Sequence, residues 1–131
     1  VELASDPRLR PARVLIADDE PLFIDSVQAL LAGDDRVEIV GTATNGQDAV
    51  ELAVALDPDV TLLDISMPML DGIEATRRIR ERLPDACVLV LTGSSISADV
   101  DRARQAGVAA FLTKDRIGTQ LVEAILEVAE R

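Results

Sequence analysis

The sequence predicts an α/β fold in which a parallel sheet is covered by helices on both faces. Three observations carry that prediction. First, short apolar runs such as Val60-Thr61-Leu62-Leu63 and Cys87-Val88-Leu89-Val90-Leu91 are near-continuous rather than alternating, the pattern of strands covered on both sides. Second, five such runs alternate with five segments of helical spacing, which calls for right-handed crossovers around one parallel sheet. Third, the runs end on polar residues, and Val60–Leu63 stops on Asp64, followed by Pro68 and Asp71-Gly72. A carboxylate at the end of a buried strand is costly unless it faces solvent or a cation, and proline and glycine prevent simple extension of the strand.

In chain order, residues 1–12 are charged, hold two prolines and are expected to form a disordered leader, with one domain over 13–131. Arg13–Ala17 is the first strand and stops at Asp18-Asp19-Glu20-Pro21. Pro21 suits the first turn of a helix, and the acidic residue before it complements the helix dipole. That helix carries Phe23, Val27, Leu30 and Leu31 on one face and ends near Gly33. Val37–Gly41 alternates, as an edge strand does, and Asn45-Gly46 opens a helix that stops before Pro58. The Asp64 strand leads into a helix from about Gly72 to Leu83. Ala86–Thr92 is the fourth strand, followed by a polar helix over about Ser97–Ala106 that closes at Gly107. Ala109–Leu112 is the fifth strand, and a last helix from about Thr119 buries Leu121 and Ile125. A flavodoxin-like strand order, 2-1-3-4-5, fits best, because the first and third strands then flank the switch point where ligands bind.

Bulk properties narrow the function. At 131 residues the chain is one domain with room for a proper core. Its net charge of −11 argues against direct nucleic-acid binding, which needs a basic face. No apolar run approaches the roughly 18 residues of a membrane span, and nothing at the start resembles a signal peptide. The single cysteine, Cys87, excludes an internal disulfide, fits a reducing, cytoplasmic compartment and is expected to be a packed core thiol. Histidine is absent, which removes the commonest acid–base group and metal ligand together.

What remains is a set of polar residues at the carboxyl ends of strands: Asp18 and Asp19 after the first, Asp64 on the third, Thr92 on the fourth and Lys114 after the fifth. Taken singly, the aspartate pair suits a solvated turn, Thr92 a strand cap and Lys114 an ordinary surface lysine. Convergence on one rim gives them a joint meaning. Three carboxylates in one pocket repel each other unless a cation offsets them. Oxygen-only ligands select a hard ion, Mg²⁺ or Mn²⁺, which keeps several waters and shares positions with phosphate oxygens. Lys114 adds a positive charge and Thr92 a hydroxyl. Together they describe a phosphoryl-transfer site with Asp64 as a carboxylate nucleophile.

At this point the chain resembles a receiver (REC) domain of the bacterial two-component response regulators, a CheY-like domain, over about residues 12–131. The resemblance rests on Ala17-Asp18-Asp19, Leu63-Asp64-Ile65-Ser66-Met67-Pro68 with Asp71-Gly72, Leu91-Thr92-Gly93 and Thr113-Lys114. It implies that Asp64 is the phosphoacceptor, that Asp18, Asp19 and Asp64 hold Mg²⁺ with the main-chain carbonyl of Ser66, and that Thr92 and Lys114 contact the phosphoryl oxygens. It also implies a sensor histidine kinase as partner and Thr92 and Phe111 as switch residues. The mixed charges Asp99, Asp101, Arg102 and Arg104 of the fourth helix suit reciprocal salt bridges across a two-fold axis and equally a solvated face, and weak homodimerisation on phosphorylation is expected through that face or through the first helix. The domain would catalyse only its own phosphorylation and dephosphorylation. Output would be transcriptional, through a DNA-binding domain outside this chain; a natural single-domain regulator remains the alternative.

Several positions depart from the commonest receiver pattern. Lys114 is followed by Asp115 where many receivers have a cis proline, and Lys-Asp is familiar from NarL/FixJ-type (LuxR-family) regulators. The switch aromatic is Phe111, which can pack but lacks a hydroxyl. Ser66 and Ser94 occupy variable positions that in this family tune the lifetime of the phosphoryl group. An aspartyl-nucleophile phosphatase would carry a second acid where Ser66 stands, a degenerate receiver would have lost an acid or the lysine, and a nucleotide-binding flavodoxin relative would show a glycine-rich loop after the first strand.

Overall fold

A computed structural model of the chain describes residues 10–93 and 97–130. Ser94 and residues 1–9, most of the expected leader, lie outside the described residues. The strands are β1 (Ala12–Ala17), β2 (Val37–Ala43), β3 (Val60–Asp64), β4 (Val88–Thr92) and β5 (Ala110–Thr113). The helices are α1 (Pro21–Ala32), α2 (Gly46–Leu56), α3 (Gly72–Arg82), α4 (Ser97–Ala106) and α5 (Ile117–Ala129). All strand pairs are parallel and the order is β2-β1-β3-β4-β5. Both the fold and the strand order are those the sequence predicts.

Alternation along the buried strands builds two separate cores. Val14, Ile16, Leu62, Leu89 and Leu91 point to one face, where Ile24, Val27 and Leu31 of α1 and Leu121, Ile125 and Val128 of α5 cover them. Leu15, Ala17, Leu63, Val88 and Val90 point to the other, covered by Ala49 and Ala53 of α2, Ile73 and Ile79 of α3, and Ala103 and Ala106 of α4. Successive side chains of a strand must leave opposite faces, so an unbroken apolar run serves both layers at once.

Local chemistry fixes the helix starts that frame the rim. Asn45 caps α2 by accepting from Asp48 N–H at 2.8 Å, and Asp71 caps α3 by accepting from Glu74 N–H at 2.8 Å. Gly72 is the first residue of α3, and a Cβ there would collide with the carbonyl oxygen of Asp64. Its N–H donates to Ile65 O at 3.0 Å, so the chain leaving Asp64 folds straight back under the carboxylate. Gly46 plays the matching part for α2, where a Cβ would strike the main chain of Leu70.

Several boundaries and burials differ from the sequence reading. β1 begins at Ala12, which is buried, so the strand takes one residue from the expected leader. β2 runs on to Ala43 because Ala17 is still paired with it. β4 begins at Val88, and Cys87 before it is half-buried rather than a fully packed core thiol. α5 starts at Ile117, two residues early, because a 3-10 turn over Lys114–Arg116 feeds directly into it. In α1 the fully covered residues are Ile24, Val27 and Leu31, whereas Phe23 is only half-buried.

Candidate functional site

The carboxyl ends of β1, β3, β4 and β5 border one open cleft of roughly 490 Å³, lined by Asp19, Glu20, Asp64, Ser66, Thr92, Asp99 and Lys114 among others. The two aspartates of the Asp18-Asp19 pair have unlike settings. Asp18 is buried at 1% exposure, with its N–H donating to Ala43 O at 3.1 Å and its Oδ1 accepting from Glu20 N–H at 2.9 Å. Asp19 is exposed at the cleft wall. Asp64 and Thr92 are buried at the ends of their strands, and Ser66 is exposed in the loop beyond.

Lys114 ties the rim together. Its Nζ lies 2.7 Å from Asp18 Oδ2, 3.3 Å from Asp64 Oδ1 and 3.6 Å from Glu20 Oε1. The residue comes from the far side of the sheet and reaches past the ends of β4 and β3 to do so. It is 19% exposed, not a surface lysine. Burial alone would lower its pKa, but the hydrogen bond to Asp18 and the charge of Asp64 outweigh that, and the ammonium is held above its ordinary range.

Asp64 has the opposite difficulty. Desolvation, with the like charge of Asp18 beside it, raises its pKa to about 6, and Lys114 opposes the rise without cancelling it. The rim is therefore short of positive charge. A divalent cation would supply it, and the donors fit a hard one. Asp18, Asp19 and Glu20 each offer a carboxylate oxygen within 4.8 Å of the others, with no imidazole or thiol among them. Asp64 is joined to this group through Lys114.

Every described site residue expected from the sequence borders this rim except Phe111, which lies half-buried on β5 against the core under α4, two residues before Thr113. The sequence reading missed three participants. Glu20 completes the acidic group and was signalled only by adjacency to Asp18-Asp19. Asp99, from the first turn of α4, lines the cleft and pairs with Arg102 at 3.7 Å; nothing local in the sequence marks it. Phe23 packs half-buried against the core, as its spacing pointed to, and also lies beneath Lys114, which its spacing did not show.

Comparison with known proteins decides the family. The response regulator receiver domain profile matches residues 14–126. The chain belongs to the response regulator receiver domain family. It is 37% identical over 118 residues to the transcriptional regulatory protein DegU of Brevibacillus brevis, covering 90% of this chain and 50% of that protein. The signal receiver domain of the response regulator NarL from Mycobacterium tuberculosis superposes with a TM-score of 0.88 at 38% identity, covering 92% of this chain and 98% of that one. A CheX–CheY–BeF₃–Mg²⁺ complex from Borrelia burgdorferi contains a chain that matches with a TM-score of 0.83 at 25% identity, covering 90% of this chain and 89% of that one. The chain spans about half the length of the curated relatives it matches. Receiver domains are signalling domains that interact with histidine kinases and bind Mg²⁺ at an acidic cluster, and Asp18, Asp19 and Glu20 form an acidic group on this rim. No helix among the described residues is long and apolar enough to cross a membrane.

Proposed function

We propose that this domain takes a phosphoryl group onto Asp64 from the phosphohistidine of a sensor histidine kinase, or from a small phosphodonor, and converts that charge into a change of its interaction surface. The observation that carries the reading is the Lys114 ammonium poised between Asp18 and Asp64 at the mouth of the cleft. Asp64 Oδ attacks phosphorus while the bond from phosphorus to the donor breaks, and the leaving group departs with the bonding pair and takes up a proton. Asp18, Asp19, Asp64 and the main-chain carbonyl of Ser66 are the residues that would hold Mg²⁺ or Mn²⁺, with Glu20 close enough to join through water. When bound, the metal supplies charge neutralisation at the carboxylates and the incoming phosphoryl oxygens.

Lys114 then exchanges Asp18 for a phosphoryl oxygen, and Thr92 gives its hydroxyl to another. In this reading the domain catalyses only its own phosphorylation and dephosphorylation. Thr92 and Phe111 transmit the change to α4, β5 and α5, and the output is transcriptional, from a cytoplasmic protein that carries a DNA-binding domain. Phosphorylated copies pair through that face or through α1. Within the chain, Arg102 already contacts Asp71 at 3.5 Å and Asp99 at 3.7 Å, so Asp101 and Arg104, both exposed, are the α4 charges better placed for a second copy. Intact-mass spectrometry with acetyl phosphate is the test. One phosphoryl adduct is expected, dependent on a divalent cation and absent in Asp64→Ala; labelling that survives that substitution or excess EDTA sinks the assignment.

A further inference from the structure

Lys114 is the one lysine in the chain, and its ammonium has two kinds of neighbour. On one side are the oxygens of Asp18, Asp64 and Glu20. On the other is the ring of Phe23, whose centroid is 4.2 Å from Nζ, well inside cation–π range. Phe23 is the third residue of α1 and packs against the core layer built by α1 and α5. The ring is thus anchored by apolar contacts of its own and does not depend on the lysine for its place.

We propose that Phe23 is the positioning residue for Lys114, its aromatic face holding the ammonium over Asp64 while its carboxylate partners change. The proposal rests on the receiver reading for its consequence and on the geometry for the contact itself. The physical need is plain. A lysine head group on a flexible four-carbon stem has many ways to satisfy three carboxylates, and the shortest contact, to Asp18, draws it away from the nucleophile. To meet a phosphoryl group on Asp64 it must release Asp18 without wandering into solvent. Hydrogen bonds are directional and would resist that step. Attraction to a ring face is only weakly directional, so the ammonium slides across it and keeps one partner throughout. A leucine would fill the same space and offer no such hold.

Fluorination separates the two roles of the ring, because it drains the negative face while nearly preserving shape. Phe23 is replaced site-specifically by mono-, tri- and pentafluorophenylalanine, leaving Phe111 untouched. The first readout needs neither metal nor phosphodonor: the Cε–H NMR shift of Lys114, assigned without ambiguity because the chain has no other lysine. It should move stepwise toward the free-lysine position as fluorine is added. The second is the initial rate of acetyl phosphate labelling at saturating Mg²⁺, which should fall about 5-fold across the series, the scale expected of one such contact. Phe23→Tyr should retain the parent rate and Phe23→Leu should not. A rate that stays constant across the fluorinated series overturns the proposal, as does a Lys114 shift that ignores the fluorines. If the unsubstituted protein takes no phosphoryl group, the receiver reading falls instead, and the shift measured without donor still decides whether the ring holds the ammonium.

Discussion

Helix α5 buries Leu121, Ile125 and Val128, whereas α4, on the opposite face of the sheet, buries Ala103 and Ala106. Fully burying a leucine- or isoleucine-sized side chain contributes about 1.5–3 kcal/mol, and a methyl group about 0.8 kcal/mol. The two helices have similar lengths, yet α5 is seated several-fold more firmly. The same contrast runs through the rim. Asp64 ends the central strand β3 and Asp18 directly follows its neighbour β1, strands that the α1 and α5 layer covers on one face, while Asp99 reaches the cleft from lightly seated α4. One half of the site is thus the better-buried platform, and the other is the half that a new charge at Asp64 would more readily move. Elements that switch are drawn from the low-stability end of a fold by necessity.

The largest expected effect tests the fixed half. Leu121 is fully buried between α5 and the sheet, so Leu121→Ala removes its contacts and leaves a cavity, at a cost of about 3 kcal/mol. Urea titration followed by far-ultraviolet circular dichroism should show one cooperative transition at a lower midpoint with an unchanged slope. A loss below about 1 kcal/mol would show that α5 is no better seated than α4 and would remove the contrast.

The sequence announced the fixed half more clearly than the movable one, for physical reasons. Strands buried on both faces leave an unmistakable apolar run, and a carboxylate ending such a run is conspicuous, so β1, β3, β4, Asp18 and Asp64 were all legible. The start of α5 was not, because Lys114–Arg116 and Gly118 read as loop until the 3-10 turn is seen to continue into the helix. Ile24 was passed over for Phe23 for a related reason: periodicity picks a stripe, and either neighbour fits it, but only the packed chain shows that Ile24 is fully buried while Phe23 packs at the edge of the core and also meets the Lys114 ammonium. The Lys114–Asp18 contact joins residues 96 apart across two intervening strands, and no local pattern encodes that distance.

A middle-sized effect asks whether the fixed half stores electrostatic strain. The folded pKa of Asp64, about 6, lies above its ordinary value of 3.8, so folding favours the protonated form. The penalty is absent below the unfolded value, grows as pH rises between the two, and is complete above the folded one. In metal-free protein, stability should therefore rise by about 1 kcal/mol at most from pH 7 to pH 5, after discounting for the part of the carboxylate that reaches water. Asp34, held at about 2 by its hydrogen bonds from Arg36, acts in the reverse direction only under more acidic conditions, outside this window. Asp64→Asn should be more stable than the parent at pH 7 and flat over the same interval. Differential scanning calorimetry in EDTA measures both. A parent melting temperature that falls on acidification to pH 5 would mean that Lys114 has already neutralised the rim.

The smallest effect is the most direct test of the movable half. Ala103 is fully buried where α4 meets the second core, and Ala103→Gly removes a methyl contact and adds backbone freedom, together about 1 kcal/mol. If α4 opens by itself, that cost lowers its local opening free energy, and global unfolding, which includes the opening, loses the same amount. Amides over residues 100–106 should then exchange about 5-fold faster than in the parent, by the free energy just given, and should stay far faster and less sensitive to urea than those of α5 and the central strands. The melting temperature should fall by only the few degrees that about 1 kcal/mol costs. Hydrogen exchange in low urea, read by mass spectrometry, distinguishes this from the alternative, in which the α4 amides exchange at the rate and with the urea dependence of α5. That uniform response would mean that α4 unfolds only with the whole domain. Its two alanines would then be as firm a seat as the leucine and isoleucine of α5, and a phosphoryl group at Asp64 would have to act through Phe111 and β5 instead.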